Sequence, residues 1–190
     1  MAGAEVLRDM GETLVYLLRV GMAASGFTPA PDVKLATPDE FDGFDNPRTP
    51  VVSVFLYRVG VNPEMRNGPR RTLPGGKTTR PLLPLELGYL ITPWANQAAE
   101  EHWLAGLVVQ TLYDHAELGP ADLQGDSWAP GDSVQVILET LPTDEHYRIW
   151  DTTNLPYRLS LTYLARVMGI EPLEATGAAP VVEARIGRRP

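Results

Sequence analysis

Apolar and polar positions alternate with two different periods along this 190-residue chain. From Leu83 the odd positions Leu83, Leu85, Leu87, Tyr89 and Ile91 are large and apolar, while Glu86, Gly88 and Leu90 between them are mixed. Period-two alternation predicts a strand with one buried face. Thr92-Pro93 is expected to stop it, because proline has no amide proton for a ladder, and Trp94 to turn the chain into a helix. Val51–Val61 (VVSVFLYRVGV), rich in β-branched and aromatic residues, predicts a second strand. The two are expected to pair as a hairpin with a long loop.

The helical period appears first over Ala4–Ala24. There Leu7, Met10, Leu14, Leu17, Leu18 and Gly21 form one stripe, with Glu5, Arg8, Asp9, Glu12 and Arg19 off it. Gly26, Pro29 and Pro31 end it. Asp32–Pro50 reads as an extended loop, with Val33-Lys34-Leu35 a candidate edge strand. A second helix is predicted over Gln97–Ala116, with Asn96 as N-cap and a stripe of Leu104, Leu107, Val108, Thr111 and Leu112. Ser133–Thr140 alternates with Val134, Val136 and Leu138 inward. Thr143 is expected to cap a short helix ending at Trp150, and Tyr157–Val167 gives the last strand. The fold class is therefore α+β: a twisted, mainly antiparallel sheet of about four strands, covered by two long helices plus one short one. Residues 1–170 form the domain. Residues 171–190 form an extended tail in which Val181, Val182, Ala184 and Ile186 are placed to make a strand on docking.

Composition narrows the partners. At 44% hydrophobic the chain can bury a core. It has no cysteine, so disulfides and thiolate metal sites are excluded. Acids among the first apolar residues argue against a signal peptide, and no run nears the roughly 20 apolar residues that cross a bilayer. A soluble, cytoplasmic protein without a membrane partner is expected. The net charge of −8 argues against nucleic acid as a main partner. That charge is unevenly spread. Asn96–Leu155 holds eleven acids and one base, Arg148, whereas Arg66–Arg80 holds five bases (Arg66, Arg70, Arg71, Lys77, Arg80) and no acid.

Candidate chemistry is sparse. Arg71–Thr78 (RTLPGGKT) ends like a phosphate-binding loop, but its leading glycine is Arg71 and the prolines after Thr78 rule out the helix that such a loop needs. His102, His115 and His146 lack metal-ligand spacing, and no Gly-x-Ser-x-Gly turn presents a nucleophile. Trp150 is read as core, and Arg148 as a solvated helix partner of Asp144 or Asp151. No catalytic, cofactor or metal residue is assigned.

Three stretches in order carry a resemblance. They are LPLELGYLITPWA, EEHWLAGLVVQTLYDH and VQVILETLPTDEHYRIWDTTNLPYRLSLTYLARV, with Arg148-Ile149-Trp150 and Pro156-Tyr157-Arg158-Leu159-Ser160 among the most specific positions. Over Glu5–Ile170 the chain resembles the cap, or tail-terminator, family of extracellular contractile injection systems, which are phage-tail-like particles of the antifeeding-prophage and virulence-cassette type. The resemblance implies a structural protein without cofactor. It would form a six-fold ring on the end of the inner tube, stop tube growth and hold the last sheath layer. Partners would then be further copies of itself, the tube protein and the sheath protein. The candidate interface residues are Arg66, Arg70, Arg71, Lys77 and Arg80 on the basic loop, with Val181, Val182, Arg185 and Ile186 on the tail. The alternatives are a nucleotide-binding enzyme using residues 71–78, or an adaptor binding through its acidic face.

Overall fold

The computed structural model of the chain describes residues 3–66, 68, 71–72, 78–153 and 155–170. Its elements are α1 (Val6–Ala24), β1 (Asp32–Leu35), a 3-10 helix (Pro38–Phe44), β2 (Val51–Val61), β3 (Arg71–Thr72), β4 (Thr78–Thr79), β5 (Leu83–Trp94), α2 (Ala98–Asp114), β6 (Glu117–Leu118), β7 (Val134–Glu139), α3 (Thr143–Trp150) and β8 (Leu161–Ile170). One sheet has six strands, not four, in the order β1-β2-β5-β8-β7-β6, and β3 with β4 forms a separate two-residue ribbon. Every ladder is antiparallel except β1 with β2. The two short strands β1 and β6 make the difference in number. β1 fulfils the edge-strand expectation, and β6 is too brief to leave a period in the sequence.

The alternation of β5 sorts its side chains between two cores. Leu85, Leu87, Tyr89 and Ile91 join Met10, Leu14 and Leu18 of α1 and Leu104, Val108 and Leu112 of α2 in the main core. Leu90 and Trp94 point to the opposite face, into a second core with Phe41 and Phe44 of the 3-10 helix, Val51 of β2 and Trp150 of α3. The two long helices thus cover one face, as expected. The other is closed at one end by aromatic rings from two short helices.

β5 runs through Pro93 to Trp94 rather than stopping at Thr92. The ladder with β8 ends at Ile91, whereas β2 pairs on to Val51 opposite Trp94. One edge of β5 is therefore free at Pro93, and the missing amide disrupts no ladder there. The turn into α2 also differs. Its N-cap is Gln97, without a side-chain cap, while the Asn96 amide donates to the Pro47 carbonyl at 3.1 Å. Thr143 is the first residue of α3 rather than its cap, and the last strand starts at Leu161, four residues after Tyr157.

Residues 38–44, expected as loop, are helical because Thr37 and Glu40 form a capping box, with Pro38 in the first turn. That turn drives Phe41 and Phe44 under the sheet. Trp94 is their floor, fully buried, with ring centroids 5.3 Å from Phe41, 5.7 Å from Phe44 and 6.0 Å from Trp150. Its indole N–H donates to Ser53 Oγ at 2.8 Å, so the one polar atom of the ring is satisfied inside the core.

Asp9, placed off the stripe by the helical period, is 2% exposed. The loop between β6 and β7 covers it: the Ser127 amide donates to Asp9 Oδ2 at 3.1 Å, and the Gln124 amide donates to Thr13 Oγ1 at 2.9 Å. Gly125 makes this fit possible. It has φ +92°, and a Cβ there would lie 2.3 Å from the Asp9 carboxylate. Burial raises the Asp9 pKa, but the hydrogen bonds from Arg8 and Ser127 outweigh it and the net shift is downward. The carboxylate therefore stays ionised as the loop closes over it.

Trp94→Ala is expected to cost about 3–5 kcal/mol, the range for a buried aromatic truncation. Urea denaturation measures it; a loss under about 1 kcal/mol would contradict the packing described.

Candidate functional site

Among the described residues, what remains outside the two cores is a hairpin base bearing Arg66 and Arg80 and an acidic flank. β2 and β5 form one long hairpin whose tip connection holds residues 62–82. Its base is fixed at Asn62, 6% exposed, whose Oδ1 accepts the amides of Glu64 at 2.9 Å and Met65 at 3.4 Å. The Asn62 amide donates to the Pro84 carbonyl at 3.1 Å, tying both sides of the hairpin. Around that base Val59, Val61, Met65 and Leu83 are exposed. Arg66 and Arg80 are exposed as well.

Of the basic residues singled out in the sequence, Arg71 lies in β3, whose ladder pairs it with Thr79. Arg70 and Lys77 lie outside the described residues, as do Val181, Val182, Arg185 and Ile186. The Gly-Lys-Thr sequence does not open a helix: Thr78-Thr79 is a strand and the next element is β5. A phosphate-binding loop needs a helix N-terminus at that point, so the nucleotide alternative loses its structural basis. Among the described residues no group of three metal-ligating side chains comes together, and no helix is long and apolar enough to cross a membrane.

The acidic residues divide by use, which their sequence positions do not reveal. Four of the eleven hold the fold. Glu101 accepts from Arg158 at 2.9 Å and Glu139 from Arg58 at 2.9 Å, while Asp122 and Asp132 cap the amides of Gly119 and Ala129 at 2.9 and 2.7 Å. Asp114, Glu117, Asp126, Asp144, Glu145 and Asp151 remain exposed. The Asp144–Arg148 pair spans 3.9 Å between two largely exposed side chains, as expected of a solvated helix pair. The arm thus leaves from β2 and β5, and much of the free acid rides on α2, β6 and α3.

Arg58 and Tyr57 link the two regions across the sheet. A bulge in β2 between Leu56 and Arg58 brings the Tyr57 ring over β5, where a Cβ on Gly88 would lie 3.0 Å from it. The Tyr57 hydroxyl then donates to Glu139 Oε2 at 3.1 Å on β7, beside the Arg58 pair. Burial, with Glu139 beside it, pushes the Tyr57 pKa up to about 12, so it stays a donor.

The residues that carried the resemblance most specifically form a latch over the second core. Trp150 Nε1 donates to Ser160 Oγ at 3.0 Å, and His146 Nε2 lies 2.9 Å from the same oxygen. Arg158 reaches Glu101 on α2 and Asp45 after the 3-10 helix, with its guanidinium carbon 5.3 Å from the Trp94 ring centroid. The serine–histidine contact does not make a nucleophile. Ser160 is 5% exposed and its oxygen already accepts the indole proton. The role of His146 in this latch left no sequence signal, because Ser160 follows it by fourteen residues with a turn between.

This sheet with its two covering helices is the fold of tube-terminating caps. The chain is similar to the sheath/tube terminator of an extracellular contractile injection system, PVC, in its extended state. The match has 20% identity and a TM-score of 0.66, covering 97% of this chain and 63% of that one. It is likewise similar to the tube-terminating cap of the anti-feeding prophage, with 20% identity and a TM-score of 0.62 over 99% of this chain and 62% of that one. By sequence the chain belongs to the family described as the Pvc16 N-terminal domain, which it matches over residues 9–184. It spans just under two thirds of the length of those two solved structures. No curated protein matches the chain by sequence.

Burial holds the His146 pKa below its ordinary value, so the fold favours the neutral ring. That contribution is complete above the unfolded-state value of about 6.5 and is lost as pH falls through the lower folded-state value. Stability measured from about pH 7.5 down to 5 should decline in the native chain and decline less in His146→Gln. Identical slopes would remove His146 from the latch.

Proposed function

We propose that this chain is a structural cap of a contractile, phage-tail-like injection particle: it sits on the distal end of the inner tube, ends tube growth and anchors the last sheath layer. The observation that carries this reading is the match of nearly the whole chain to two terminators in fold, together with membership of the Pvc16 N-terminal domain family.

Six copies would form a closed ring. Head-to-tail contacts between unlike surfaces form rings when their rotation closes, and this chain has unlike surfaces: the hairpin base with Arg66 and Arg80, and the exposed acids of α2, β6 and α3. Arg66, Arg70, Arg71, Lys77 and Arg80 are assigned to the contact with a neighbouring copy or with the tube lumen. Assembly takes place in the cytoplasm, before the particle is released.

Added to growing tubes of its own system, the chain should stop elongation at amounts far below one per tube subunit, since only ends are bound. Arg66→Glu with Arg80→Glu should weaken that arrest about tenfold or more, equivalent to roughly 1.4 kcal/mol of lost binding. Elongation followed by light scattering reads both effects. Arrest only at amounts matching tube protein, or an unchanged double variant, would contradict the assignment.

A further inference from the structure

The sheet ends abruptly on the β7 side. β6 pairs with β7 only at Val134 and Gln135, and the next contact is the Val136 amide donating to the Ala116 carbonyl at 2.8 Å. Alternation along an antiparallel strand turns the N–H and C=O of Leu138 to that same outer side. Among the described residues nothing pairs with them. Leu138 belongs to the row that faces the helices, with Val134 and Val136, yet it is 48% exposed while they are 1% and 3% exposed. Beside it a cleft of about 290 Å³ opens between the last turns of α2 and β7, walled by Val109, Leu112, Tyr113, Ile137 and Leu138. Tyr113 is 79% exposed. The helix layer stops one strand short of covering its sheet, leaving an apolar slot with an unpaired backbone edge.

We propose that residues 181–186 of the same chain fill this slot as a further strand beside β7. Their sequence, VVEARI, alternates. Val182, Ala184 and Ile186 would enter the cleft, while Val181, Glu183 and Arg185 would lie on the opposite face. Charge favours the fit. Residues 181–190 carry Arg185, Arg188 and Arg189 against the single acid Glu183, and Glu117 is the one charged side chain among the residues that line the slot.

Reach favours it too. Ile170 lies three residues beyond Val167, which pairs with Val134, and Leu138 is four residues along β7 from Val134. Seven residue rises and two strand spacings amount to roughly 25 Å, and the ten residues 171–180 can span about 33 Å. The strand would run parallel to β7. The family match continues to residue 184, inside this segment and well past Ile170, so 181–184 fall within the domain that the family defines. A tethered segment also meets its own slot at a high effective concentration, which a neighbour's tail must exceed. The sequence expectation places this segment as a strand made on docking; the geometry offers it an acceptor in its own sheet. The proposal stands independently of the cap reading.

The chain has no cysteine, so introduced pairs report cleanly. Leu138→Cys is combined in the full chain with Val182→Cys, Ala184→Cys or Ile186→Cys and oxidised at about micromolar concentration. Adjacent strands place facing Cβ atoms within disulfide range. At least one pair should close within a monomer, seen as a mobility shift in non-reducing electrophoresis, while Val59→Cys with the same tail positions stays open. Separately, Val182→Asp with Ile186→Asp should speed hydrogen exchange at the Leu138 amide about tenfold or more. No intrachain disulfide, or links only between separately tagged Leu138→Cys and tail-cysteine chains, overturns the proposal. So does unchanged Leu138 exchange in the aspartate variant.

Discussion

Everything in this fold hangs on β5 being buried on both faces. A strand so placed cannot slip by one residue without exchanging its two cores. Leu85, Leu87, Tyr89 and Ile91 fix it against α1 and α2, and Leu90 and Trp94 fix it against the 3-10 helix and α3. With β2 on one side and β8 on the other, β5 sets the register of both neighbours. The base of the hairpin inherits its position from that register, because the Asn62 amide bonds to the Pro84 carbonyl across it. The fold and the base of the hairpin are thus coupled through one strand.

Polar groups then decide which loops close. Asp9 holds the loop between β6 and β7 against α1, and Arg158 gathers α2, the end of the 3-10 helix and the approach to β8 around Trp94. Both are charges brought largely out of water and answered by specific partners, the arrangement in which losing one partner is costly.

The sequence made the long elements legible because α1, β5 and α2 each keep one period for eight or more residues, β2 is rich in β-branched and aromatic residues, and α3 begins at a capping signal. Hence α1, β2, β5, α2 and α3 lie close to where their patterns put them. β1 and β6 are four and two residues long, too short for a period to declare itself. The end of β5 was misplaced because the proline rule concerns a strand paired on both sides, and β8 has already left at Ile91. Asp9 looked solvated because the amide that buries it is 118 residues away. The uneven charge is legible in the sequence as two blocks, but its division between fold and surface is not. Glu101 and Glu139 stand in the acidic third like the rest, and only the fold shows them spent on Arg158 and Arg58.

Under the proposed function, this sheet closes a tube by ring formation at its end. Averaged electron micrographs of tubes assembled with the chain test it most directly. A six-fold cap would give density for six copies, related by rotation about the tube axis, on one end of each tube and none along its sides. Copies bound along the walls, or tube ends that stay bare while the chain remains monomeric beside them, would contradict it.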